Sequence, residues 1–256
     1  MSSLTVGLVQ SATRWHDPAG NRDDFEGHLT QLDETPDVVV LPEMFSTGFS
    51  MDSQSQAESM DGSTVSWMRQ RAMALDAAIT GSLIIEDGGY FNRMIWATPD
   101  GEVQYYDKRH LFRMAGEEQF YQSGSTRRVV EFRNWRLCLS VCYDLRFPVW
   151  LRNQQDYDAL LCVANWPASR ASAWQTLLQA RAIENQAYCI GVNRVGQDGN
   201  GLDYAGGSAV YAPDGADVVL AGVSQRTVTA SLQASALTSL RQTFPVALDA
   251  DSFLIR

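Results

Sequence analysis

Three apolar stretches of this chain each run into a side chain able to take part in bond making. Val38-Val39-Val40-Leu41-Pro42 leads to Glu43, Val103-Gln104-Tyr105-Tyr106-Asp107 to Lys108, and Leu137-Cys138-Leu139-Ser140-Val141 to Cys142. A carboxylate can move protons, an ammonium can hold developing negative charge, and a thiol can attack a carbonyl carbon. In sheets covered by helices the carboxyl ends of neighbouring strands open onto one crevice, so the three groups are expected to meet there. Taken singly, each has a plainer reading. Glu43 could be a solvated carboxylate, Lys108 part of a surface patch with Arg109 and His110, and Cys142 an inert core thiol. The residues after the cysteine, Tyr143-Asp144-Leu145-Arg146-Phe147-Pro148, shift the balance. A strand breaks at Cys142 and a helix is expected near Pro148, a residue suited to a first helical position. This is the form of a nucleophile elbow, in which a helix N-terminus and a nearby cation are expected to lower the thiol pKa.

Other chemistries find less support. A Cys–His pair would need one of three histidines; His16 and His28 sit in polar N-terminal segments, leaving His110 as the plausible partner. Gly206-Gly207-Ser208-Ala209 is no Gly-x-Ser-x-Gly elbow. Gly196-Gln197-Asp198-Gly199-Asn200-Gly201 lacks the lysine of a phosphate loop and reads as a tight turn. Four cysteines separated by 3, 19 and 26 residues match no zinc pattern, and no metal-ligand cluster or cofactor requirement is visible.

The elements that must carry these groups alternate between β and α periodicity. Leu4, Val6 and Leu8 mark a strand, Phe25, Leu29 and Leu32 recur at helical spacing, and 37–41 reads as a fully buried strand. Val65, Met68, Ala72, Leu75 and Ile79 step by 3 and 4, predicting a helix capped by Ser63 or Thr64 and closed before Gly81. Strands are predicted near 81–86, 91–98, 103–108, 129–132 and 136–142. A helix from Pro148, a strand over 159–164, a helix near 171–186 and a strand over 188–193 follow. Three last strands, about 207–212, 217–222 and 227–232, lie around the turn Pro213-Asp214-Gly215. Sheets covered by helices are implied, as a doubly wound sheet or a two-sheet sandwich, and an all-α protein is excluded. With no repeat or linker, one domain over 1–256 is expected.

Composition narrows the partners. The chain has 256 residues, 45% of them hydrophobic and 20% charged, enough to bury a core without staples. Thirty acidic against twenty basic residues leave a charge of −10, which disfavours nucleic acid and anionic membrane as partners. The longest strictly apolar run, Ala159–Ala164, is far short of the ~18 residues that a membrane helix needs. Met1 to Val6 lack the basic stretch of a secretory leader, so a reducing cytoplasm is expected.

Read together, the motifs resemble the nitrilase, or carbon–nitrogen hydrolase, superfamily, whose catalytic set is Glu, Lys and Cys. The likeness is carried by Leu41-Pro42-Glu43-Met44-Phe45, Asp107-Lys108-Arg109-His110-Leu111-Phe112 and Val141-Cys142-Tyr143-Asp144-Leu145-Arg146-Phe147-Pro148. It continues through Ala180-Arg181-Ala182-Ile183-Glu184-Asn185-Gln186 and Asn193-Arg194-Val195-Gly196 to Gly206 and Ser208, nearly the whole chain. Phe45-Ser46-Thr47-Gly48-Phe49-Ser50-Met51, Asn165-Trp166-Pro167 and the tail from Phe244 to Asp251 are similar to the bacterial ω-amidases. Two positions depart from that branch: Ala173 stands where a His is usual, and Leu139-Ser140 replaces Pro-Leu.

The resemblance implies a four-layer α-β-β-α sandwich, a homodimer, and hydrolysis of the terminal amide of 2-oxoglutaramate or 2-oxosuccinamate. It implies Cys142 as nucleophile, Glu43 as general base, Lys108 with the Tyr143 N–H as oxyanion donors, and Glu117 holding Lys108 and the substrate amide. A substrate of this kind carries one carboxylate, for which Arg113 and Arg170 are candidates, while Arg146 is expected to be structural and paired to Asp144. Phe49, Tyr121 and Trp166 are expected to wall the pocket. An amidase for another small amide such as deaminated glutathione, a nitrilase, and a catalytically idle binding scaffold are the competing readings.

Overall fold

The computed structural model describes residues 3–32 and 36–255. Met1 and Ser2, which head the stretch read as lacking a leader, lie outside the described residues, as do 33–35 and 256. In chain order the strands are β1 (Leu4–Gln10), β2 (Val38–Val40), β3 (Ala78–Glu86), β4 (Tyr90–Ala97), β5 (Val103–Asp107), β6 (Val129–Phe132), β7 (Trp135–Val141), β8 (Ala159–Ala164) and β9 (Tyr188–Asn193). They continue as β10 (Val195–Gln197), β11 (Asp203–Ala205), β12 (Ala209–Tyr211), β13 (Asp217–Leu220) and β14 (Arg226–Leu232). The helices are α1 (Pro18–Leu29), α2 (Ser53–Gln56), α3 (Ser63–Leu75), α4 (Pro148–Leu151), α5 (Ala171–Asn185) and α6 (Ala234–Thr243).

Two six-stranded mixed sheets form, ordered β14-β1-β2-β3-β4-β5 and β13-β12-β9-β8-β7-β6. The last long strand returns to the first sheet, with β14 antiparallel to β1, so the ends of the chain's β-run are tied together. The expected four-layer sandwich follows from where each strand face points. Val38 and Val40 pack into the core shared with Leu137, Leu139 and Leu161 of the other sheet. Val39 and Leu41 instead meet Phe25, Val65 and Met68 from α1 and α3. A strand covered on both faces needs apolar residues at every position, which is why this segment shows no alternation. Leu178 of α5 and Leu237 of α6 join the larger core from the far side. Each such fully buried side chain contributes about 1.5–3 kcal/mol relative to exposure.

Several boundaries differ from the sequence reading. α3 starts after Gly62, which makes no side-chain cap, and ends at Leu75 because Asp76 turns left-handed with φ 49°. Ile79, at helical spacing from Leu75, therefore belongs to β3. The helix expected from Pro148 is only the single turn α4, and a 3₁₀ turn, Cys142–Arg146, starts directly at the cysteine. The glycine-rich segment is the turn of the β10–β11 hairpin, as expected, but its flanking strands and α6 had not been anticipated. Among the described residues no helix is long and apolar enough to cross a membrane.

Candidate active site

The three strand-end groups do converge. Glu43 lies three residues beyond β2, held by the Leu41 N–H to Thr80 O bond at 2.7 Å and the Met44 N–H to Ser82 Oγ bond at 2.9 Å. Lys108 is the first residue after β5, its N–H donating to Asn92 O at 3.0 Å. Cys142 follows β7 with φ 45°, a left-handed backbone that a side-chain-bearing residue adopts at a cost of roughly 1–3 kcal/mol. The elbow is fastened by Asp144. Fully buried, its carboxylate accepts from Val141 N–H at 3.0 Å, His110 N–H at 2.9 Å and Tyr106 OH at 2.8 Å. One buried group thereby ties the end of β7 in one sheet to the Lys108 loop of the other.

At the centre, Lys108 Nζ donates to Glu43 Oε1 at 2.9 Å and to both Glu117 oxygens at 3.0 Å. All three side chains are at most 1% exposed. Asn165 N–H donates to Glu43 Oε2 at 2.7 Å and Phe112 N–H to Glu117 Oε2 at 2.6 Å, and the Cys142 thiol lies within the electrostatic reach of Glu43. Burial pulls the Lys108 ammonium down, but Glu117 and Glu43 override it and hold the pKa above the ordinary lysine value. Burial raises the Glu117 carboxyl against the pull of Lys108, and the charge on Glu43 adds to the rise.

The thiol runs opposite to expectation. Burial pushes the Cys142 pKa well above its ordinary value, Glu43 pushes it the same way, and Lys108 opposes without prevailing. Only a five-residue 3₁₀ turn follows the cysteine, and the adjacent carboxylate outweighs the cation. The resting group is a neutral thiol beside a base, so it must hand over its proton as it attacks.

A pocket of about 400 Å³ opens over this floor. Glu43, Lys108 and Cys142 lie at its lining together with Tyr143, Phe49, Trp166 and Arg170, all expected there. Lys108 Nζ sits 5.1 Å from the Phe49 ring centre, and Trp166 Nε1 donates to Arg170 O at 2.8 Å.

Three expectations fail, and one rejected alternative stays rejected. Arg113 points away, its side chain 82% exposed, with Glu118 3.9 Å off, because the 3₁₀ turn Arg113–Ala115 presents it to solvent. Tyr121 is buried behind the site among Met44 and Ile84, with its hydroxyl donating to Ser50 O, and does not line the pocket. Arg146 does not pair with Asp144, whose oxygens are already taken. Its guanidinium lies 4.9 Å from the Trp166 ring centre, at the pocket lining, and among the described residues it forms no ion pair. His110 stacks on Phe147 at 3.7 Å and hydrogen-bonds Asp144 through Nδ1 at 2.7 Å, so it is not the cysteine's partner.

Other participants had gone unnoticed. Asn165 follows β8 directly, so the strand-end rule that found Lys108 and Cys142 would have found it too. Asp198 and Tyr204 of the β10–β11 hairpin line the far wall, joined by the Tyr204 OH to Asp198 Oδ2 bond at 2.8 Å. Asn92 sits in mid-strand, where only a polar residue inside an apolar run could have signalled it. Among the described residues no group of three or more His, Cys, Asp or Glu could hold a metal ion.

Comparison with known proteins gives a consistent picture. Residues 5–242 match the carbon–nitrogen hydrolase family model. The chain is 47% identical to the ω-amidase YafV of Escherichia coli (strain K12) over 99% of each sequence. It is 29% identical to the 2-oxoglutaramate amidase of Bacillus subtilis, over 94% of this chain and 95% of that one. In three dimensions it superposes with a TM-score of 0.98, at 50% identity and full coverage of both chains, on XC1258 from Xanthomonas campestris, described as a CN-hydrolase superfamily protein with an arsenic adduct in its active site.

Proposed function

This chain belongs to the carbon–nitrogen hydrolase family, close to the bacterial ω-amidases, and we propose that it removes the terminal amide of small 2-oxo acid monoamides such as 2-oxoglutaramate and 2-oxosuccinamate. It is an amidase. The observation that carries the reading is the buried cluster of Glu43, Lys108 and Glu117 against the Cys142 thiol at the floor of one pocket.

The geometry supports the following sequence of steps. Cys142 Sγ attacks the amide carbonyl while its proton passes to Glu43, the carboxylate beside it at the pocket floor. The oxyanion is met by Lys108 Nζ and the Tyr143 N–H. As the C–N bond breaks, Glu43 returns the proton to the leaving nitrogen and ammonia departs, leaving a Cys142 thioester. Glu43 then takes a proton from water, which attacks the thioester, and the thiol is reprotonated as the carboxylic acid leaves. Glu117 keeps Lys108 in place through both of its oxygens. Arg170 and Arg146 receive the substrate carboxylate; both line the pocket, each over an aromatic ring, and among the described residues neither has an acidic partner.

The same reading takes the chain as one domain, cytoplasmic, working as a homodimer. Supporting the last point, Val149, Ile183 and Phe244 are 58%, 50% and 64% exposed. They lie on elements that bonds from Arg152 to Glu184 O and from Gln186 to Phe244 O hold together. Ammonia release from 2-oxoglutaramate tests the function. The wild type should release it and Cys142→Ala should not; equal release by both would remove the thiol from the reaction.

A further inference from the structure

Two buried carboxylates beside a single ammonium leave a net negative charge on groups almost wholly removed from solvent, which favours a proton on one of them. If that proton sat on Glu43, no base would remain for the thiol. The donors around the pair show what opposes this. Lys108 serves both carboxylates, Asn165 N–H serves Glu43 alone and Phe112 N–H serves Glu117 alone. One neutral side chain bridges them: Asn92 Nδ2 donates to Glu43 Oε1 at 2.7 Å and to Glu117 Oε1 at 3.2 Å. We propose that Asn92 is a positioning residue for the amidase reaction, giving one N–H to each carboxylate so that both stay ionised and Glu43 stays aimed at the thiol.

Three further observations bear on this. The amide orientation is fixed by chemistry, since turning it would set Oδ1 against two carboxylate oxygens. Asn92 O accepts from Lys108 N–H at 3.0 Å, so the same residue also sets the position of the lysine. Its Oδ1 is buried and has no hydrogen-bond partner, an unfavourable state that a purely structural residue at this place in β4 would not need. The other ionisable groups felt by the two carboxylates are Lys108, Cys142, Tyr121, Tyr204 and Cys162. Of these Lys108 alone is cationic, and with Asn92 gone the pair would depend on it and two backbone N–H groups.

The inference rests on Glu43 acting as base, and its test can be read without the substrate. Cys142 alkylation by iodoacetamide and ammonia release from 2-oxoglutaramate are followed against pH for the wild type, Asn92→Leu and Asn92→Ser. Loss of the donors raises the pKa of the carboxylate pair, so the acid limb of both profiles should move to higher pH, further in Asn92→Leu than in Asn92→Ser. At neutral pH kcat should fall about ten- to hundredfold, the range for one hydrogen bond to a charged group, with KM little changed. Acid limbs at the wild-type position, or a fall in kcat without movement of the limb, would overturn the proposal. Should Asn92→Leu not fold, the smaller shift in Asn92→Ser decides the matter by the same criterion. A wild type that releases no ammonia would defeat the substrate reading, while the alkylation profiles would still settle the role of Asn92.

Discussion

The floor and the mouth of the pocket are built on opposite terms. On the floor, Glu43, Lys108 and Glu117 are at most 1% exposed and each has several hydrogen-bond partners, those of Glu43 coming from both sheets. At the mouth, Arg146 is exposed, Arg170 half-buried, and Leu202 and Met114 are 48% and 82% exposed. The floor can be pre-organised because its charged groups are held by one another and by protein N–H groups, so little water has to be reordered as the oxyanion forms. On the proposed reading, the cations at the mouth find their counter-charge in the substrate's own carboxylate, so chemistry is assigned to the buried floor and selection among amides to the more exposed mouth.

Substitutions can break that division. The largest effect is expected on the floor, where Glu43→Gln removes the proton carrier but keeps the shape. Turnover should fall about 10²–10⁴-fold with little change in KM, as measured by steady-state ammonia release. At the mouth the pattern should reverse. Arg170→Ala and Arg146→Ala should each raise KM for 2-oxoglutaramate by roughly tenfold, the lower end of the range for a hydrogen bond to a charged group, and leave kcat and thiol alkylation nearly intact. An uncharged amide of similar size should not register either change. Arg113→Ala, in the solvent-facing turn 113–115, should alter KM by less than about twofold, the ordinary range of a surface substitution. A fall in kcat from the arginine variants, matching that from Glu43→Gln, would erase the distinction between the two regions.

The same division governs what could be read before the structure. Glu43, Lys108 and Cys142 were legible because each ends a segment with a strand's composition, and strand ends in such sheets share a crevice. The buried β2 and β8 were legible because a strand covered on both faces must be apolar throughout. Asn92 was not, because position within a strand does not reveal which neighbouring strand ends it reaches. Arg113 and Arg146 were exchanged in role for a related reason: each sits in a single 3₁₀ turn, where one residue of rotation decides between pocket and solvent. The thiol's pKa direction was missed because the motif shows a cation and a turn but not the burial that outweighs them. The strands of the β10–β11 hairpin were not legible because three-residue strands carry little periodicity, whereas α6 does carry a helical signal in Ala234 and Leu237, which face the core.

The central claim is that a neutral, buried Cys142 becomes acylated through Glu43. It is tested most directly by acid-quenching the enzyme during turnover of 2-oxoglutaramate and weighing its peptides. A peptide containing Cys142 that has gained the substrate acyl group without its ammonia, and that loses it on further incubation, is the expected result. Continued ammonia release with every Cys142 peptide unmodified, and with Cys142→Ala equally active, would contradict it.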